Sequence, residues 1–164
     1  MDARKVDPGS VADIKDREIV TTRIIDAPRE LVWKAFADPE TLAKWYGPNG
    51  FTLTTKVFEF MEGGDWIFVM HGPDGRNYPN HVHFIEILEP VRIVHNHGDD
   101  EGKINFHAEI TLDEVGNNTR VTLRSVFLSK EARDFVAKEH VAVEGAEQTL
   151  ARLDALIKEM HTTE

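Results

Sequence analysis

The stretch from Ser129 to Met160 constrains the chain most, because it reads as a helix that cannot persist alone in water. From Val136 onward its apolar residues fall at Val143, Ala146, Leu150, Leu153, Ile157 and Met160. That spacing keeps them all on one helical face. Glu144, Glu147, Gln148, Arg152, Asp154, Lys158 and Glu159 take the intervening positions and are expected to face away. Ser129 reads as the N-cap, with Glu131 in the first turn, where the helix dipole favours a negative charge. One apolar stripe needs a partner surface. The repeat covers only about three heptads and Gly145 interrupts it, which argues against a self-associating coiled coil. Almost everything before Ser129 reads as short strands, so the expected partner is a sheet.

Arg17 to Ile25 sets Ile19, Val20, Ile24 and Ile25 among Thr and Arg and reads as a first strand. Pro28 suits the first position of a short helix carrying Leu31, Val32, Ala35 and Phe36. Asp38-Pro39 starts a second helix as cap and first residue, with Leu42 and Trp45 on one face, and Gly47-Pro48 stops it. Strands follow over Phe51–Phe60, Trp66–His71, Tyr78–Leu88, Val91–His97, Lys103–Asp113 and Thr119–Leu128. Gly63-Gly64, the Gly72-Pro73-Asp74-Gly75 turn, a Glu89-Pro90 corner, an acidic loop from Gly98 to Gly102 and Gly116-Asn117-Asn118 separate them. Hairpin-length links imply an antiparallel sheet, and one-sided alternation, clearest at Ile104, Phe106, Ala108, Ile110 and Leu112, implies one solvated face. The fold class expected is α+β: a curved antiparallel sheet of about seven strands, two short helices after the first strand and a long C-terminal helix in the concave side. A helical cylinder does not fill a trough, so a cavity between sheet and helix is the first candidate site.

The 164 residues are expected to form one domain over residues 17–161 behind a flexible tail, residues 1–16. No apolar run is long enough to span a bilayer, and the charged N-terminus lacks the apolar core of a secretory signal. The chain has no cysteine, which excludes disulfides and thiol nucleophiles and is compatible with a cytoplasmic location. A formal net charge of −10 argues against nucleic acid or an anionic membrane as partner.

Ala27-Pro28-Arg29-Glu30-Leu31-Val32-Trp33, Asp38-Pro39-Glu40 and Trp45-Tyr46-Gly47-Pro48 resemble the activator-of-heat-shock-protein-90-ATPase homologue family. That family belongs to the START-like, birch-pollen-allergen-like helix-grip (SRPBCC) superfamily. Gly63-Gly64-Asp65-Trp66, the Gly72–Gly75 turn, Glu86-Ile87, Pro90, Arg92-Ile93-Val94 and Asn118-Thr119-Arg120-Val121-Thr122-Leu123 match in order. The resemblance covers roughly Arg17 to Met160. It implies the helix-grip fold and, across the superfamily, binding of lipids, polyketides and other apolar small molecules, with some members cyclases. The named eukaryotic member stimulates a chaperone ATPase through an architecture with a separate N-terminal domain, for which this chain is read as having no room. Shared fold does not carry function across.

Eight histidines stand out, two pairs of them as His81-x-His83 and His95-x-His97. Residues two apart on a strand share a face, so either pair has the spacing to hold one metal ion. A two-residue Glu89-Pro90 hairpin sets Leu88 opposite Val91, Phe84 opposite His95 and His83 opposite Asn96. The two pairs then point to opposite faces, and Glu86 lies across the strand from His81 and His83, so no metal site is expected. In this register His95 and His97 share a face with Val82, Phe84, Glu86 and Ile93. Either they line the cavity as titratable handles or they end the strand in solvent, and the sequence leaves both open. His71 and His107 read as ordinary surface residues. Trp45, Trp66, Phe68, Phe84, His95 and His97 are the candidate ligand-binding residues, with core filling the competing role for the aromatics. The expected function is binding of a largely apolar small molecule, with no cofactor. There is no Gly-x-Ser-x-Gly elbow, phosphate-cradling loop or dinucleotide fingerprint. If the cavity ran a cyclase- or hydrolase-like reaction, Glu86 with His95 would be its acid–base couple. A chaperone-associated role without ligand is the remaining class. Ligand identity, turnover and whether two copies pair are not legible here.

Overall fold

The computed structural model describes residues 15–139 and 142–163, and in it the alternating stretches pair into one curved antiparallel sheet. In chain order the elements are β1 (Glu18–Ile25), α1 (Arg29–Ala37), α2 (Pro39–Trp45), β2 (Thr52–Phe58), β3 (Asp65–His71), β4 (Asn77–Leu88), β5 (Arg92–Gly98), β6 (Ile104–Val115), β7 (Asn118–Phe127), α3 (Lys130–Glu139) and α4 (Ala142–Thr163). The strand order is β1-β7-β6-β5-β4-β3-β2, so the first strand lies beside the last and α1–α2 bridge to the far edge. The expected α+β helix-grip architecture is what forms. No helix among the described residues is long and apolar enough to cross a membrane.

Strand periodicity divides the sheet into two unlike faces. The inner face buries Ile25, Val121, Leu112, Ile110, Ile93, Val82 and Phe68 against the helices. The outer face of the middle strands carries a ladder of charges: Arg92 pairs with Glu86 at 2.7 Å and Glu109 at 3.3 Å, and Arg124 pairs with Glu18 at 2.7 Å and Glu109 at 3.6 Å. Such partly exposed pairs contribute roughly 0–1 kcal/mol each, so cohesion comes from the inner face.

In α1 and α2, Leu31, Val32, Trp33, Ala35, Phe36, Leu42 and Trp45 are buried. Asp38 caps α2, its Oδ2 accepting from Thr41 N at 3.1 Å and Thr41 Oγ1 at 2.6 Å. Pro28 stands one position earlier than expected, at the cap of α1, where its carbonyl accepts from Leu31 and Val32. The chain then turns at Gly47, whose φ of +113° favours glycine, and a Cβ there would make the Met70 Cε tip shift from 2.5 Å away. Gly145 on α4 faces the same turn, where a Cβ would press to 3.3 Å from Pro48. Arg152 closes the junction, donating from Nη1 to the Gly47 and Pro48 carbonyls at 2.9 Å each and from Nη2 to Lys44 O at 3.3 Å.

The terminal stripe differs from expectation in three ways. Ser129 does cap a helix, its Oγ accepting from Ala132 N at 3.0 Å, but the stretch is two helical segments, and residues 140–141 between them lie outside the described residues. Leu150, Leu153 and Ile157 are buried, whereas Val143 is 43% exposed. Asp154, expected to face away, is buried: β1 presents Arg23 to the helix, and Arg23 Nε meets Asp154 Oδ2 at 2.9 Å. The expected tail lies mostly outside the described residues, which begin at Lys15, and Arg17 is helical rather than the start of β1.

Candidate functional site

Side-chain size changes along the inner stripe of α4, and the trough opens and closes with it. Leu150, Leu153 and Ile157 fill the C-terminal part, while the positions before them are Ala142 and Ala146. Where the alanines face the sheet there is a hollow of about 780 Å³. Its floor is the inner face of β1, β7 and β6 at one end of the sheet: Ile19 and Thr21, then Leu123, Ser125 and Phe127, then Phe106. Its roof is Ala132, Phe135 and Val136 of α3 with Ala142 and Ala146 of α4. The volume is in the range of small-molecule pockets. Among the described residues Lys103 is the one charged residue lining it, and it is exposed at the rim with Ile104 and Leu128.

The opposite end of the trough is filled by aromatic rings. Trp66 and Phe68 stack with centroids 3.8 Å apart, and Tyr46 packs edge-on to both. Phe58, Phe60 and Phe84 continue the cluster, and Trp45 is 1% exposed with Nε1 donating to Ala35 O at 3.0 Å. Burial pushes the Tyr46 hydroxyl up to about 12. What remains is a void of about 20 Å³ bounded in part by Tyr46, Trp66, Phe84 and His95, room for about one water molecule. Of the six candidate ligand-binding residues, Trp66, Phe84 and His95 therefore border this void, and Trp45, Phe68 and His97 line neither space.

His95 and His97 do point inward, at 5% and 6% exposure. His95 Nδ1 donates to Asn96 O at 3.2 Å, and His97 Nε2 donates to Asn80 Oδ1 at 2.7 Å. The Asn80 amide is oriented by its own donation to Tyr78 O at 2.8 Å. Burial holds His95 down to about 4, with the nearby His107 lowering it further, and holds His97 down to about 3, with His95 and His81 adding to the effect. Both rings are neutral at pH 7. His97 Nδ1 is buried with no hydrogen-bond partner among the described residues, as suits an unprotonated nitrogen. Phe106 stacks on His97 at 4.7 Å and separates it from the large hollow.

Glu86 and His95 are not brought together. The β4–β5 connection is one residue longer than a two-residue turn, pairing Leu88 with Arg92, and Ile85 is an extra residue between the Phe84–His95 and Glu86–Val94 pairs. The bulge restores the expected Phe84–His95 and His83–Asn96 partners but turns Glu86 to the outer face, where it binds Arg92. It goes with a contact distant in sequence: Phe84 exchanges backbone hydrogen bonds with Gly63 and Gly64 of the β2–β3 turn. His81 Nε2 and His83 Nδ1 share an outer face and converge on Asp65 Oδ1 at 2.8 and 2.9 Å, holding its carboxyl below the usual range. Among the described residues no group of three His, Cys, Asp or Glu is placed to hold a metal ion. His71 bonds Thr54 and Asn77, and His107, expected to be exposed, is half-buried with Nδ1 3.0 Å from Asn96 Oδ1.

The lining missed in the sequence is the alanine end of the helical stripe. Ala146 was legible as a stripe member, but its small volume marks where the stripe stops filling the trough.

Residues 26–158 match the family model described as Activator of Hsp90 ATPase homolog 1-like protein. No curated protein matches the chain. Among solved structures, the Mycobacterium smegmatis protein Ms6760 is similar at 27% identity and TM-score 0.81, over 90% of this chain and 95% of that one. A protein from Arthrobacter aurescens is similar at 28% identity and TM-score 0.79, over 89% and 88%. At 21% identity and TM-score 0.72, a Silicibacter pomeroyi protein titled AHSA1 shares the fold over 88% and 99%.

Proposed function

Since the chain belongs to the Activator of Hsp90 ATPase homolog 1-like family, a START-like fold consistent with apolar ligands, we propose that it binds a largely apolar small molecule between sheet and C-terminal helices. The observation that carries this reading is the hollow of about 780 Å³ at the alanine end of α4. Its walls are mainly Ile, Leu, Phe, Val and Ala, with the hydroxyls of Thr21 and Ser125 as polar points for orientation. Large side chains at the rim support it too, since Leu128 is 64% and Phe135 57% exposed.

The test is thermal unfolding with long-chain alcohols and fused-ring aromatics, on the wild type and on Ala146→Trp. A ligand at a hundred times its Kd stabilises by about 2.7 kcal/mol, or about 5–10 °C at this chain length. The expected result is such a shift in the wild type and its loss in the folded variant. Equal shifts in both proteins, or none in the wild type, would count against the hollow.

A further inference from the structure

Resting on the reading above, we infer that the hollow takes an amphiphile with one apolar chain and one carboxylate, the chain inside and the carboxylate on Lys103. The chain carries 29 acidic residues, yet among the described residues no acidic side chain lines the hollow. The single charged residue among its described lining is Lys103, at the rim beside Ile104 and Asn105. Lys103 has no carboxylate within ion-pair distance among the described residues. Asp99 in the preceding loop is turned back, its Oδ1 accepting from the backbone of Glu101 at 3.0 Å and of Lys103 at 3.2 Å. A lysine stem lies along apolar surface and keeps its ammonium in water, so a chain entering between Phe106 and Phe135 leaves its head at that ammonium. The neutral hydroxyls deeper in do not discriminate by charge.

The experiment is calorimetric titration of the full chain with decanoic acid, 1-decanol and decylamine, below their aggregation concentrations at pH 7.5 and low salt, on the wild type and Lys103→Gln. The acid is expected to bind about fivefold tighter than the alcohol, as for a partly exposed ion pair. The ratio should fall toward one in the folded Lys103→Gln variant and in high salt. Each methylene added to the acid should tighten binding about fourfold until the hollow is full. If alcohol binds as well as acid, if the amine binds tightest, or if the preference for acid survives Lys103→Gln, the carboxylate assignment is wrong and the hollow remains a binding site. If none of the three binds, the proposed function itself fails.

Discussion

His97 lies against Phe106 with ring centroids 4.7 Å apart, and His95 lies 5.6 Å from it on the same strand face. Burial keeps both rings neutral, and the consequence is a stability that depends on pH. In the unfolded chain a histidine titrates near 6.5, whereas these two are held to about 4 and about 3. As pH falls below 6.5 the unfolded chain takes up protons that the folded one does not. Stability is therefore full above that point and lost below it, down toward the folded values. The loss by pH 4 is expected to be on the order of 5 kcal/mol. Urea unfolding as a function of pH checks this, and His95→Phe should flatten the slope between pH 6.5 and 4. A wild-type profile flat through that window would show that the rings titrate normally. That these histidines turn inward was legible only as one of two alternatives, because strand spacing assigns a common face but not which face is covered.

At the level of elements, the α2 turn and α4 are held together by few contacts of high value. Arg152 donates to three carbonyls at and just beyond the end of α2, of which Pro48 O also accepts from Phe51 N at 3.1 Å. Arg152→Ala is expected to cost about 2 kcal/mol, since hydrogen bonds from a charged group are the stronger class and those to Gly47 and Pro48 are partly buried. Arg152→Lys should recover only part of it, because one ammonium lacks the planar fork that spans Lys44, Gly47 and Pro48. Chemical denaturation of the three proteins decides this, and a loss below about 0.5 kcal/mol in Arg152→Ala would mean that the turn closes without it. The Trp45-Tyr46-Gly47-Pro48 motif was legible as a helix stop, but its clamp was not, because Arg152 was read only as a polar residue facing away. The β4 bulge was hidden for a related reason. It arises from hydrogen bonds between Phe84 and a turn some twenty residues earlier, and no local pattern in β4 marks it.

Across the whole molecule, one trough is closed at one end by aromatic rings and left open at the other by alanines. The order of strands and helices followed from alternation, turn residues and the amphipathic stripe, because those signals are local and repeat along the chain. The location of the open space did not, because it depends on the summed volumes of side chains from β1, β6, β7, α3 and α4. Aromatics drew attention to Trp45, Trp66 and Phe68, yet rings that large fill the space they face. The central claim is that a guest enters at the alanine end, and amide chemical shifts of the isotope-labelled protein during titration with 1-decanol test it most directly. The account expects the shifts to cluster at Phe106, Leu123, Phe127, Ala132 and Ala146. Shifts clustered at Trp45, Trp66 and Phe68, or none at all, would contradict it.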